Sequence, residues 1–564
     1  MEFNLITQPC IPVLDLQGKP QLLSLRETLL KAHTLSEIHH DSPVITASLV
    51  RFCVALLTDI YRLKDQEAWR QIWNAGEFDE KKVNAYLQQF ADRFDLFHEK
   101  YPFYQCAALE DQTPCSLKLF APEMSSGNNP LLFSHAEDSV ELDYTPVEAF
   151  HLLLSVQNFA LAGLLRRTTQ LRGETEPLYW QSAYGGVLIP GAMIWLTGDT
   201  LFETLCLNVV PVSPLSDEDD EDRDELEDDL PIWRRDRPEV LRDRQTKGKL
   251  EKISPRGTLD RLTFGSRLIR LLPERYGEGE DAKIVVRRAA FNHGRSLDAG
   301  LQGVFDPMQA YRTGKKEGYL IVRLSSERST WRDAGSLFGL SKKGVKHVPR
   351  ALKLLSLSIG KVEGLSATTP LRLHVAGLAN DQAKILLWRH DRMDAPAKVL
   401  CDPEIAERVG SLLLDAEETA FSLRTCTRRL CSLFLAPLSV DATGKAIEGF
   451  LGADPDRVTS LADAIDTRPT YWARLESEFH RLLLGLGGDT EKVDKVADEW
   501  KDRVKAEAER AFEEAVISLG DRPQTGKAKA LTNAYFEVPS RRTKPEPKTR
   551  KISDKVLTQK GEAK

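Results

Sequence analysis

Between Val493 and Leu519 the apolar residues Val493, Val496, Trp500, Val504, Ala508, Phe512, Val516 and Leu519 recur in steps of three and four. That spacing places all eight on one face of an α-helix. A helix with one long apolar stripe needs other helices to cover it. Three further stretches, about 403–436, 458–486 and 525–537, have the same amphipathic character. An antiparallel four-helix bundle over residues 402–537 is therefore predicted.

The first 401 residues read differently. Ser24, with Glu27 in the capping-box position, opens a helix from Leu25 to Lys31. Asp41-Ser42-Pro43 opens an apolar helix running to about Tyr61. Trp69 to Phe97 predicts a helix in two pieces, and Phe3 to Ile6 carries strand signals. From about 100 to 400 the chain is rich in Gly and Pro. Short apolar runs there, such as Lys283 to Arg287 and Tyr319 to Arg323, predict strands. Leu371 to Val375 alternates apolar and polar residues, as a half-buried strand does. Gly377 to Ala383 reads as a turn with Gln382 at its tip beside the small Ala383. Lys384 to Arg389 then returns as a strand or begins a helix. The expected fold class is α+β. A large mixed N-terminal domain of helices and short strands spans 1–401, the bundle spans 402–537, and a disordered basic tail spans 538–564.

The net charge of −7 argues, at face value, against a polyanionic partner. It is unevenly placed. Asp217 to Asp229 holds eleven acidic residues and one Arg, and without that run the chain carries +3. Like charges repel, so a mobile acidic loop is predicted over 214–232. Three basic clusters lie elsewhere. Arg261, Arg267 and Arg270 stand between apolar residues of Thr258 to Leu272. Lys342, Lys343, Lys346, His347 and Arg350 lie close together, as do Arg424, Arg428 and Arg429. Each alone fits a solvated face; together they predict a surface that tracks phosphates.

Catalytic motifs are missing from the sequence. It has no P-loop, no H-E-x-x-H, no G-x-S-x-G and no EF-hand loop. The eight cysteines show no C-x-x-C spacing and read as reduced, mostly buried thiols. His390-Asp391 reads as a structural hydrogen-bonded pair. Neither a metal nor a cofactor is expected. MEFNLITQPC is not a signal peptide. Pro177 to Gly198 is uncharged, but its glycines and Pro190 make it a buried loop-strand region rather than a span. A cytoplasmic protein with no membrane partner is expected. Three function classes remain: a nucleic-acid-binding subunit, a hydrolase or nuclease with a dispersed acidic site, and a scaffold that binds protein only.

The order of motifs resembles the CasA family, the large subunits of type I-E Cascade, a CRISPR RNA-guided surveillance complex. The matching pieces are Phe3 to Pro9 with Ile11-Pro12-Val13, Leu25-Arg26-Glu27, Tyr101 to Gln105 and Gly198 to Leu201. Leu207-Asn208, Leu259-Asp260, Ser266-Arg267, Arg270 to Pro273 and Asp306 to Met308 follow. Thr330 to Asp333, Asn380 to Ala383, Arg389 to Asp391 and Tyr471-Trp472 complete the order. The resemblance implies a subunit that is not an enzyme. Its partners would be the other Cascade subunits, crRNA, double-stranded target DNA and a helicase–nuclease recruited after R-loop formation. It would read the protospacer-adjacent motif (PAM) and wedge the duplex open.

Residue by residue, the resemblance places the wedge at Gln382, flanked by Asn380, Asp381 and Ala383. It places a motif-sensing loop at Asn129 to His135, including Leu132, Phe133 and Ser134. A glycine loop falls near Asn158 to Leu164, where only Gly163 remains, beside Ala162. The basic finger expected before Asp306 has no Lys, and Arg295 is its substitute. Lys342, Lys343, Lys346, Arg424, Arg428 and Arg429 are expected on the DNA backbone. Cys10 stands where the family usually has Trp, and Asp381 where it has Asn. An ionised Asp accepts but does not donate, and the guanine amino group is the base-edge donor of the minor groove. Asp381 is therefore expected to favour a G·C pair beside the wedge or to turn away from DNA.

Overall fold

The most apolar run of the N-terminal part becomes its central helix, Pro43–Tyr61. Pro43 in the first turn presets φ and has no N–H to leave unpaired. Every residue from Val44 to Ile60 is buried. The helix is long and apolar enough to cross a membrane, yet 94% of its apolar window is buried inside the protein. It is a core helix, hydrophobic on all sides because all sides are covered. Its buried cation, Arg51, donates to both carboxylate oxygens of Asp306 (2.9 and 2.6 Å) and to the carbonyls of Arg261 and Leu262. Arg261 in turn donates to Asp306 (3.2 Å) and to Gln309 (2.9 Å). Buried charges are tolerated when paired and hydrogen-bonded in this way. The network ties the core helix to the loop at Asp306.

The computed structural model describes residues 1–121, 141–189, 191–211, 228–236, 252–277, 282–297, 305–313, 319–338, 349–381, 384–488, 490–532 and 536. Helices and strands, the latter from two to thirteen residues long, are mixed through residues 1–401, and the region beyond is helical, so the α+β reading holds. Among the described residues the strands form five small sheets of two or three strands. The Ser24 capping box is present, with Glu27 bonded back to the cap. Trp69 to Phe97 does contain two helices, whose bounds are Gln66–Ala75 and Glu80–Gln89. Gly76, with φ of +72°, ends the first. Phe3 to Ile6 is not a strand. The Asn4 side chain accepts the Ile6 N–H, and only one bridge, Asn4 to Asp95, forms. A short side chain that bonds its own backbone competes with a ladder. The uncharged stretch after Pro177 forms the strands Leu178–Ala183 and Met193–Thr197, the second fully buried.

The C-terminal helices are Pro403–Leu435, Pro455–Ala464, Arg468–Gly485, Thr490–Ser518 and Pro523–Thr532. The single helix expected over 458–486 is two. Asp466 accepts the Arg468 N–H and pairs with its guanidinium (2.6 Å), which starts a new helix there. The apolar stripe is buried at Val493, Trp500, Val504, Ala508, Phe512, Val516 and Leu519.

The chain divides into two compact units, Met1–Leu414 with Arg474–Trp500, and Asp415–Ala473 with Lys501–Lys564. The division falls within three of the long helices. In the first unit, Trp331 stacks on Phe479 at 4.9 Å, and Trp500 donates to the Leu412 carbonyl. In the second, the Tyr471 hydroxyl donates to the Ala416 carbonyl, and Cys431, Val458 and Ala462 form a buried cluster.

Candidate nucleic-acid interface

Pro370–Asp381 is the middle strand of a sheet, between Lys384–Pro396 and Met193–Thr197. The predicted turn from Gly377 is instead strand as far as Asp381. Gly377 serves close approach, not a bend. A Cβ there would lie 3.0 Å from the Gly191 carbonyl oxygen and 3.2 Å from Leu324. Lys384 to Arg389 returns as a strand. The ladder slips once, between the Ala379–Leu387 and Asn380–Ile385 pairs, and leaves Leu386 as a bulge. Beyond the slip Asp381 pairs with Lys384, so Gln382 and Ala383 alone connect the strands. Those two residues lie outside the described ones, as do the side chains of Asp381 and Lys384. Asn380 is half-buried.

Within this hairpin His374, 1% exposed, has Nδ1 2.9 Å from His390 Nε2. The Trp195 ring lies against both imidazoles, at 4.8 and 5.3 Å. Burial is the main reason both imidazoles titrate below the usual range, and Arg392 adds to it. A neutral imidazole pair needs no counter-ion. His390 thus bonds His374 across the ladder, not Asp391, since neighbours on a strand face opposite sides.

A second sheet carries Gly163. The strand Gly163–Leu171 follows the helix Pro146–Phe159 and pairs with Leu178–Ala183. Ala162 is exposed and Gly163 half-buried. Gly163 pairs with Ala183 and Leu164 with Ser182, but Arg167 pairs with Trp180. One extra residue is therefore accommodated, at Leu165-Arg166. Arg166 has φ of +48°, in the left-handed region. A residue with a Cβ pays about 1–2 kcal/mol there, and Gly is the usual occupant of such a bulge. The bulge is braced by Arg167, which donates to Asp111 (3.1 Å) and to the Thr113 carbonyl (2.5 Å). Arg166 itself is exposed and makes no hydrogen bond or ion pair among the described residues. Sequence reasoning passed over this residue. The pair Arg166-Arg167 was visible, but a strained backbone leaves no mark on composition.

Other arginines turn inward. Arg295, the expected basic finger, is 6% exposed and donates twice to Asp260 (2.6 and 2.9 Å) across the Phe264 ring. This is an internal ion pair rather than a surface-facing cation. Of the basic cluster of Thr258 to Leu272, Arg261 and Arg267 are internal too, and Arg270 is half-buried. Arg261 belongs to the Asp306 network, and Arg267 donates to the carbonyls of Leu161, Tyr184 and Ser266. Arg270 reaches the Leu109 carbonyl. Arginines between apolar residues fit this outcome, because a guanidinium can satisfy several buried carbonyls at once.

Of the helical cluster, Arg424 bonds the Ala462 carbonyl and Asp463, Arg428 bonds Thr459, and Arg429 is exposed. Leu132, Phe133, Ser134, Lys342, Lys343 and Lys346 lie outside the described residues, as does most of the acidic run.

Comparison with known proteins bears on the whole chain. The family model described as CRISPR-associated protein Cse1 matches residues 4–511. A CRISPR-associated protein CasA/Cse1 of Thermus thermophilus is 31% identical over 541 residues, which covers 95% of this chain and 96% of that protein. The crystal structure of CasA from Thermus thermophilus superposes with a TM-score of 0.72 at 29% identity, covering 94% and 98% of the two chains. Cse1 from Acidimicrobium ferrooxidans gives 0.71 at 24% identity, covering 94% and 96%. A chain of a CRISPR RNA-guided surveillance complex shares the fold, with a TM-score of 0.64 at 20% identity, covering 94% and 98%.

Proposed function

This chain belongs to the CRISPR-associated Cse1 (CasA) family, and on that premise we propose that it is the PAM-reading, duplex-opening large subunit of a type I-E surveillance complex. Its role is binding, not catalysis. Its partners are the other Cascade subunits with their crRNA, the target duplex, and a helicase–nuclease recruited once an R-loop has formed. The observation that carries the reading is the hairpin Pro370–Asp381/Lys384–Pro396. It is long, its base is pinned by the imidazole pair and by Gly377, and two residues close it. Gln382 is one of them, where an amide with both donors and an acceptor can meet base edges as a step unstacks. Unstacking costs a few kcal/mol per step and must be repaid by contacts to the opened strands. Guide pairing reads the remaining sequence.

The direct test is R-loop formation by the assembled complex. Gln382→Ala is expected to slow opening of a fully paired target while a target with a pre-unpaired seed opens at the wild-type rate. Equal rates on the paired target would remove the wedge. The Asp381 reading is tested by PAM-library depletion with Asp381→Asn. A relaxed demand for G·C beside the wedge is expected, and identical preferences would mean that Asp381 turns away from the bases. Incubating the complex with target DNA and divalent metal, without the helicase–nuclease, is expected to leave the DNA uncut.

A further inference from the structure

We propose that Arg166 is a phosphodiester contact of this chain, held out on a strained bulge to grip the backbone of the target duplex beside Gly163. The proposal rests on the PAM-reading function above and adds a residue to it. Three observations converge on the position. Arg166 occupies a left-handed backbone conformation that Gly would adopt freely. Strain of this kind persists only where the surroundings enforce it, and it gathers at functional sites. The enforcing contact is Arg167, whose guanidinium is fixed on Asp111 and Thr113. Arg166, one residue earlier, is left exposed with its charge unspent among the described residues.

The neighbourhood fits a backbone ligand. Ala162 is exposed and small, and Gly163 has no side chain, so a phosphate chain can approach the polypeptide closely there. Leu164 is 69% exposed, an apolar surface of a size to lie against deoxyribose. A guanidinium matches a phosphate with two parallel hydrogen bonds. Arg295, the basic contact expected from the resemblance, is spent on Asp260, so a surface-facing cation has to come from elsewhere.

The experiment uses the assembled, crRNA-loaded complex and a PAM-containing duplex, with affinity measured across a salt series. Arg166→Ala and Arg166→Gly are expected to weaken binding about three- to tenfold at moderate salt. Each should lower the slope of log affinity against log salt by ~0.9, the share of one phosphate. Arg166→Lys should keep the slope. Arg166→Gly should also raise the melting midpoint, because it relieves the backbone, so that its loss of affinity cannot be unfolding. Wild-type affinity and slope in the Ala and Gly variants, with Gln382→Ala still defective in opening, would overturn the contact and leave the functional reading standing. Loss of crRNA retention at unchanged DNA affinity would place Arg166 on RNA and overturn it as well. Normal behaviour of all these variants, Gln382→Ala included, would remove the functional reading itself.

Discussion

Arg295 and Asp260 are both almost fully buried, with their charged groups 2.6 Å apart at the nearest. The paired carboxylate titrates below its usual range: burial alone would raise it, and the Arg295 guanidinium, with the Arg256 N–H and Arg235, more than offsets that. Removing one partner of such a pair leaves a buried charge, at a cost of about 3–5 kcal/mol. Arg235 also lies 3.2 Å from Asp260, so the residual carboxylate keeps one cation. Arg295→Ala is therefore expected near the lower end, about 3 kcal/mol, in chemical denaturation. A change below half a kcal/mol would show Arg295 to be a surface residue after all. From sequence, Arg295 and Arg166 are equally basic residues near a glycine. Burial and backbone angle separate them, and neither is a property of a residue and its neighbours in the chain.

At the scale of elements, the hairpin is held by its fit against the segments beside it. Gly191 faces Ile321 and Gln309, where a Cβ would come within 2.4 and 2.5 Å. Gly377 meets the Gly191 carbonyl at the gentler 3.0 Å. Overpacking costs about 1–3 kcal/mol, so Gly191→Ala should lie near the top of that range and Gly377→Ala near the bottom. Melting curves of the two variants check the order; the reverse order would mean that the surroundings of Gly377 are stiffer than those of Gly191. Alternation over Leu371 to Val375 was enough to predict a strand. The chain reads Gly377 as a turn signal because Gly serves bends and close approaches alike, and only the packing partner decides which. The bulge at Leu386 was equally hidden, since a slip in register belongs to the pair of strands.

Across the described residues, five buried or half-buried histidines share one behaviour. Burial lowers His151 to about 4 and His293 to about 3, and lowers His40, His374 and His390 as well. The unfolded chain takes up these protons near pH 6.5, and the folded chain does not until the pH is well below that. The unfolded state thus binds more protons on the acid side, and stability rises with pH there. The stabilisation is complete above about pH 6.5 and is lost as the pH falls from there toward about 3. The urea midpoint is expected to be lower at pH 5 than at pH 7.5, with the hairpin amides above His374 among the first to lose hydrogen-exchange protection. A midpoint unchanged between those values would mean that the imidazoles are already solvated.

By itself the sequence determined the elements whose cause is local. The Ser24 capping box, the helix begun by Pro43, the strand over Leu371 to Val375 and the buried stripe from Val493 to Leu519 each follow from spacing, caps and periodicity. The order of short motifs likewise matched the family across the chain. Only the tertiary structure decided where charge goes. It turned Arg51, Arg261, Arg267 and Arg295 inward onto carboxylates and carbonyls brought together from distant parts of the chain, and left Arg166 outside on a strained bulge. Whether a cation meets water or an internal partner depends on what the fold places beside it, and desolvation makes that difference worth more than any local preference.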